Sequence, residues 1–160
     1  MTEKEGFQPK VLINPSVLEQ KDVDSINKLR RQLKLSSESI TDIEDLAKSR
    51  VTDILCQPNC RMIIFKDSAT DEVIGMTSLF YHQTFGVPDG LGKIEDVVVD
   101  ERYRGKGLGK LLVIYVFSIA QNLGLRTLEL TSNPKRVEAN KMYVELGFEL
   151  YGTNFYTKDL

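Results

Sequence analysis

Few residues that bind transition metals are present in this sequence. Its 160 residues contain no tryptophan, two cysteines and one histidine, His82. Both cysteines lie in the short segment from Cys56 to Cys60, whereas a structural zinc site normally uses four Cys or His ligands. We therefore expect no metal site, and we expect the two cysteines to be unpaired thiols near the end of a helix.

Long apolar segments and an excess of charge of one sign are also lacking. The first ten residues are polar and charged, and they contain no apolar core of a signal peptide. The longest apolar segment, around residues 111–120, is too short to cross a membrane. The formal net charge is −2, which gives no electrostatic support for nucleic-acid binding. We therefore expect a cytoplasmic protein with neither a nucleic-acid nor a membrane partner.

Hydrophobic periodicity predicts strands and helices that alternate along the chain. In chain order the predicted elements are strand 10–13, helices 22–33 and 40–54, strands 62–65, 73–81 and 94–99, helix 108–123, strand 127–131 and helix 135–146. Gly147 is expected to end the last helix. Apolar and aromatic residues at and after Phe148 predict two more short strands. The order β-α-α-β-β-β-α-β-α-β-β predicts one α/β (α+β) domain over residues 1–160, with a mixed sheet flanked by helices.

The most informative segment is a glycine-rich loop between a predicted strand and a predicted helix. It contains Arg104, Gly105, Lys106, Gly107, Leu108, Gly109 and Lys110. Glycine permits positive φ angles and close approach of a ligand to the backbone. Successive N–H groups can then converge on an anion, with the positive end of the helix dipole behind them. The segment predicts a site for a phosphate or pyrophosphate.

Two other phosphate-binding motifs fit this loop poorly. A P-loop requires Ser or Thr after its final Gly-Lys pair, but Leu111 follows Lys110 here. A dinucleotide fingerprint has the spacing G-x-G-x-x-G in a long βαβ series, whereas this loop reads G-x-G-x-G and about fifty residues follow it. Glu129 stands near the position of a ribose-binding acid, so a nucleotide-binding protein remains a weaker alternative.

Two motifs at this separation resemble the GNAT family of N-acetyltransferases. Residues 104–109 match the family pattern R/Q-x-x-G-x-G/A, and residues 139–148 match A-x-x-x-Y-x-x-x-G-F. The strand 94–99 is similar to that of glucosamine-6-phosphate N-acetyltransferases. The resemblance covers about residues 92–148, which is the expected cofactor-binding core.

The resemblance implies acetyl-CoA as co-substrate, without a metal. Residues 104–110 would hold the pyrophosphate through backbone N–H groups. The backbone of Val97, Val98 and Val99 would pair with the pantetheine arm as an added strand does, with the Val98 N–H polarising the thioester carbonyl. Tyr143 aligns with the family tyrosine that protonates the leaving thiolate.

The remaining site residues rest on weaker patterns. Glu95 and Asp96 are candidates for the base that deprotonates the amine; adjacent residues on a strand point to opposite faces, and the family position favours Glu95. Many members carry asparagine where this chain has Arg136. Asn140 would supply an amide one helical turn later, and Arg136 would instead meet a phosphate or solvent.

The expected activity is therefore transfer of an acyl group, with acetyl as the natural choice, to an amine by direct attack. The acceptor is an amino sugar phosphate, another small amine or a peptide lysine; a homodimer is compatible with the resemblance. A CoA-binding sensor without catalysis is the main alternative.

Overall fold

Within the described residues, five strands form one mixed sheet, and four helices flank it with a hydrophobic core on each face. The computed structural model describes residues 6–12, 18–33 and 44–158. The elements are β1 (Phe7–Leu12), α1 (Gln20–Gln32), α2 (Lys48–Leu55), β2 (Cys60–Asp67), β3 (Val73–His82), β4 (Leu91–Val99), α3 (Leu108–Asn122), β5 (Thr127–Leu130) and α4 (Val137–Glu145). A 3₁₀ turn, Glu101–Tyr103, links β4 to the glycine-rich loop.

The sheet order follows the chain order. The strands are arranged β1-β2-β3-β4-β5; β1 to β4 are antiparallel to their neighbours, and β5 is parallel to β4. The parallel pairing is possible because α3 returns the chain across the sheet between the two strands. The predicted single domain with a mixed sheet and flanking helices is thus found.

Apolar side chains of the strands point alternately to the two faces of the sheet and belong to two hydrophobic cores. On one face, Met62, Ile64 and Val98 pack with Val23 and Leu29 of α1 and with residues of α2. On the other face, Ile63, Phe65, Leu79 and Ile94 of β2 to β4 pack against the two following helices, which contribute Leu112 and Val116 of α3 and Tyr143 of α4. Alternation with period two explains why neighbouring residues of one strand serve different cores.

Two predictions need correction: the start of one helix and the presence of two C-terminal strands. Residues 44–47 precede α2 rather than belonging to it, because the helix begins at Lys48; residues 40–43 lie outside the described part of the chain. The segment 148–158 contains no strand, although two were predicted. A strand needs a partner edge as well as a suitable side-chain pattern, and within the described residues this segment pairs with none.

Two expected local features are present. Gly147 has φ of 90° and follows the end of α4, and the Phe148 N–H donates to the Tyr143 carbonyl at 3.0 Å. This is the left-handed residue with a returning hydrogen bond that commonly ends a helix. Cys56 and Cys60 are free thiols at the end of α2 and the start of β2, as predicted.

Candidate active site

Strands β4 and β5 separate after a short pairing and leave a cleft. Only Leu91–Ile94 of the nine-residue β4 pairs with β5, which ends at Leu130. From Glu95 onward, the β4 edge that faces away from β3 has no strand partner among the described residues. We call the space between residues 95–99 and the segment 131–136 the β4–β5 cleft. It lies where the sequence predicted a bound pantetheine arm.

The backbone groups exposed to this cleft belong to alternate residues. The Asp100 N–H donates to the Ile74 carbonyl of β3 at 2.8 Å, and Val98 pairs with Met76 two positions along. Because an antiparallel ladder alternates, Val98 directs its backbone groups to β3, while Val99 directs its groups away from it. The carbonyls of Val97 and Val99 indeed accept from Arg136 Nη2 at 3.2 Å and from Arg104 Nε at 3.0 Å. The Val97 and Val99 carbonyls are thus the groups of the β4 edge that face the cleft.

The glycine-rich loop has the conformation of an anion site. Gly105 and Gly107 have φ of 76° and 79°, and no atom lies within 4 Å of where a Cβ would stand on either. The first backbone bond of α3 runs from the Leu111 N–H to the Gly107 carbonyl, at 3.1 Å. Among the described residues, the N–H groups from Gly105 to Lys110 have no acceptor. These amides therefore lie at the positive end of α3 and are open to a ligand.

The three cations of the loop have different partners. The Arg104 guanidinium turns back to β4 and α1, where it binds Val99 and Gln32. Lys110 lies 3.5 Å from Glu145. Lys106 is exposed, stands 5.0 Å from the centroid of the Tyr103 ring, and forms no ion pair with any described residue. Lys106 is consequently the lysine of the loop that can turn to an anion without breaking an ion pair.

Helix α1 fixes the start of this loop. The buried Asp100 carboxylate accepts hydrogen bonds from the backbone and guanidinium of Arg102 and lies 3.4 Å from Lys28 Nζ of α1. These cationic and N–H partners lower the pKa of Asp100 to about 2. The Gln32 Oε1 atom accepts from the Glu101 N–H at 2.9 Å. Charged and polar contacts within the protein therefore hold the loop in this conformation, so a binding anion would not have to order it.

Tyr143 has a packed ring and an unpaired hydroxyl. It is 5% exposed, and its ring meets Phe148 edge-on with centroids 6.0 Å apart. Burial raises the pKa of the phenol, and the positive charge of Arg136 opposes that rise. No described group hydrogen bonds to the hydroxyl, and its oxygen is not among the buried unpaired atoms, so it reaches solvent. The hydroxyl is thus protonated at neutral pH and available to a ligand.

A β-bulge places both candidate carboxylates on one face. Glu95 pairs with Ser78 and Val98 with Met76, so Asp96 and Val97 together lie opposite Thr77. Asp96 has φ of 56°, which is rare for a residue other than glycine. The expectation that neighbouring carboxylates point to opposite faces is wrong here, because the extra residue interrupts the alternation.

The surroundings of the two carboxylates differ. Glu95 lies 2.5 Å from Lys93 Nζ, with which it forms an ion pair along the strand. The Asp96 carboxyl is accessible to solvent but crowded by protein, and it lies 3.5 Å from Ser78 Oγ. Burial and the neighbouring Glu95 charge raise the pKa of Asp96. Of the two carboxylates, Asp96 therefore has the raised pKa expected of a general base.

Arg136 and Asn140 have other contacts than those expected from the sequence. Arg136, which precedes α4, donates to the Val97 carbonyl, and the Asn140 amide donates to the Asn133 carbonyl at 2.9 Å. Asn140 thus fixes the turn before α4. Ser132, also in that turn, has a buried hydroxyl without a partner among the described residues. No sequence pattern indicated the contact of Arg136 or the burial of Ser132, because both depend on how the turn lies over β4.

Metal binding and membrane crossing have no visible basis in the described residues. No group of three or more His, Cys, Asp or Glu side chains there could hold a metal ion. None of the helices described is long and apolar enough to span a bilayer.

Comparison with known proteins identifies the family. The sequence profile of the acetyltransferase (GNAT) family matches residues 25–148. The chain belongs to this family. The predicted N-acetyltransferase fold and class are therefore confirmed.

Relatives and solved structures agree with this assignment. A glucosamine 6-phosphate N-acetyltransferase of Trypanosoma brucei brucei is 32% identical over 143 residues, which are 84% of this chain and 88% of the relative. A probable glucosamine 6-phosphate N-acetyltransferase of Drosophila melanogaster is 37% identical over 86 residues, 53% of this chain but only 38% of that protein. The crystal structure of a Trypanosoma brucei acetyltransferase superposes with a TM-score of 0.74 at 26% identity, and covers 95% of this chain and 99% of the other.

Proposed function

We propose that this protein transfers the acetyl group of acetyl-CoA to a primary amine by direct attack. The observation that carries the proposal is a glycine-rich loop with free backbone N–H groups after β4, a strand whose outer edge has no partner beyond Ile94 among the described residues. Tyr143 of α4 adds a hydroxyl without a hydrogen-bond partner among those residues. The amides from Gly105 to Lys110 would hold the diphosphate, with Lys106 adding positive charge. The open edge at Val97 and Val99 would pair with the pantetheine arm.

The chemistry then needs three groups around the thioester. Asp96 accepts the proton of the incoming ammonium, directly or through one water molecule. The neutral amine attacks the carbonyl carbon, and a backbone N–H of the open edge stabilises the developing oxyanion. Val98 is not that donor, since it directs its N–H to β3. Tyr143 gives its proton to the departing thiolate, and no covalent enzyme intermediate is required.

For the acceptor we propose a small amine that carries a phosphate, an amino sugar phosphate first. Two relatives are named for glucosamine 6-phosphate. On the same sheet face as Asp96, Lys93 forms an ion pair with Glu95, and Arg30 of α1 places a second positive charge near Asp96. A phosphate on the acceptor would compete with Glu95 for Lys93, whereas a lysine side chain carries no anion that could do so.

An acetyl-CoA assay with a panel of amines tests both proposals. Release of free CoA thiol would be followed with glucosamine 6-phosphate, glucosamine and a lysine peptide. We expect the highest kcat/KM for glucosamine 6-phosphate and a large loss when the phosphate is removed. Tight CoA binding with no thiol release for any amine would instead identify a CoA sensor, and competition by ATP or NAD for the CoA site would identify a nucleotide-binding protein.

The first prediction concerns Tyr143→Phe. The ring and its packing remain, so the protein should stay folded and bind acetyl-CoA normally. Without the phenol proton, we expect kcat to fall by about tenfold to a few hundredfold, the low end of general-acid effects, because a thiolate is a fair leaving group. Steady-state kinetics with a rate-limiting chemical step would measure this. Tyr115→Phe is the matched control, because Tyr115 of α3 packs edge-on against Phe65 and should tolerate the change. Unchanged kcat in both variants would assign Tyr143 to packing alone.

The second prediction concerns self-association, for which we propose a second copy of this chain as the partner. Four apolar residues after α4 have exposed fractions from 70% to 99%: Leu150, Tyr151, Phe155 and Tyr156. The outer edge of β5 is unpaired among the described residues, and the segment 148–158 carries a strand-like pattern without a strand. Association of two copies would bury these apolar side chains and would give the unpaired β5 edge a partner.

We expect the protein to sediment at about twice the 18.2 kDa chain mass, and we expect a monomer after joint Leu150→Ser and Phe155→Ser substitution. A monomeric unmodified protein at micromolar concentration would contradict the proposal.

A further inference from the structure

Arg136 reaches across the β4–β5 cleft to the strand edge that an acyl-CoA arm would use. Its Nη2 atom donates to the Val97 carbonyl at 3.2 Å. Arg136 comes from the turn after β5, so this bond joins the two sides of the cleft at a point where no strand pairing does so among the described residues.

Arg136 also stands at the start of α4, the helix that carries Tyr143. Tyr143 lies about two helical turns further along, and the charge of Arg136 acts on its phenol. Among the described residues, the Arg136 guanidinium hydrogen bonds to Val97 of β4 and to no residue of the loop at 104–110.

The Arg136 guanidinium competes with the ligand for the space in front of the Val97 carbonyl. A strand-like pantetheine arm pairs with an open edge by donating amide N–H groups to carbonyls such as that of Val97. A carbonyl oxygen has two lone pairs, so the acceptor itself is not exhausted. The guanidinium, however, stands on the cleft side of this carbonyl, from which the N–H groups of the arm would approach, so it has to move for the arm to pair there.

We infer that Arg136 closes the β4–β5 cleft in the unliganded protein and must leave the Val97 carbonyl before an acyl-CoA arm can bind. The inference rests on the proposed use of acetyl-CoA and adds a control of affinity to it. It predicts that Arg136 lowers the affinity for ligands that carry the arm. Ligands that occupy only the loop are unaffected, because the loop amides make no contact with Arg136.

Titration calorimetry with two ligands tests this inference. CoA carries the arm, whereas adenosine 3′-phosphate 5′-diphosphate has the diphosphate and no arm. In Arg136→Ala, CoA should bind about threefold to tenfold more tightly, the range that corresponds to one net hydrogen bond. The armless ligand should bind within about twofold of the unmodified protein. Arg136→Met, which keeps an apolar stem but has no N–H donor, should behave in the same way and serves if the alanine variant folds poorly.

Arg126→Ala is the matched control. Arg126 lies just before β5, is exposed, and faces Asp89 at 3.6 Å, so its removal should change neither affinity. Weaker CoA binding by both Arg136 variants would overturn the inference, because it would make Arg136 a direct contact of the bound arm. Unchanged CoA binding would overturn it as well. If the unmodified protein binds neither ligand, the proposed use of acetyl-CoA fails and the inference fails with it.

Discussion

Gly107→Val should weaken acetyl-CoA binding by about a hundredfold or more, since hydrogen bonds to a charged group contribute about 1.5–3 kcal/mol each and several are lost together. Gly107 has φ of 79°, and the space above it is empty. A β-branched side chain disfavours this φ and fills that space, so the phosphates lose their approach to the loop amides. Calorimetry with CoA would measure the loss, and circular dichroism would confirm that the variant is folded.

Gly124→Val separates the effect on the ligand from the effect on the backbone. Gly124 follows α3, has φ of 69°, and also has no atom within 4 Å of where its Cβ would stand. Both substitutions therefore impose a similar strain of about 1–3 kcal/mol on a left-handed residue. Only Gly107 lies in the loop that would hold the diphosphate. If both variants bind CoA as the unmodified protein does, the anion site is not in this loop; equal losses would mean that binding follows global stability instead.

Features that depend on neighbouring residues could be predicted from the sequence. Alternate glycines and the apolar residues that follow them indicated a loop that opens a helix, and Gly105, Gly107 and α3 have that arrangement. Gly147 ends α4 as a glycine after an amphipathic segment usually does. In these cases the backbone preference of a few residues determines the local structure.

Features that depend on pairing between distant residues could not be predicted from the sequence. The bulge at Asp96 exists because β4 has one residue more than β3 between two paired positions, and no residue of β4 alone reports this. Arg136 meets Val97 across 39 positions of sequence, through a turn whose path the sequence pattern does not define. The apolar segment after Phe148 is the opposite case. Its side-chain pattern is typical of strands, but the segment pairs with no strand among the described residues. For the site, local sequence therefore predicted the conformation of the glycine-rich loop, whereas the bulge at Asp96 and the contact of Arg136 had no local signal.

Asp96→Asn should lower kcat by about a hundredfold to ten-thousandfold, the usual contribution of a general base. Asparagine keeps the size and polarity of the side chain and can accept from Ser78, but it cannot take a proton from the ammonium of the acceptor. In the unmodified protein the rate should fall as the pH drops through the raised pKa of Asp96, because the protonated acid is inactive as a base. In Asp96→Asn this acidic decline should be absent. Kinetics of the chemical step across the acidic range would measure both.

The same substitution should make the protein more stable at neutral pH. The folded-state pKa of Asp96 lies above its unfolded value, so the folded protein binds the proton more tightly and stability declines as the pH rises through that interval. At neutral pH, ionised Asp96 consequently costs stability, and Asp96→Asn removes this cost. We expect a higher Tm for the variant at pH 7 and a difference that shrinks when the pH falls below the ordinary pKa of an aspartate. A slower and more stable enzyme is the combination typical of a group kept for catalysis.

Glu95→Gln is the control that decides between the two carboxylates. The negative charge of Glu95 raises the pKa of Asp96, and both side chains lie on one face because of the bulge. Removing that charge should move the acidic decline of the rate to lower pH, while kcat at neutral pH stays close to that of the unmodified protein. The position of Glu95 in the family pattern favoured it as the base, and this experiment can still assign the role of base to Glu95. If Glu95→Gln loses the rate and Asp96→Asn keeps it, the base is Glu95, and the raised pKa of Asp96 reflects only its desolvation and the neighbouring Glu95 charge.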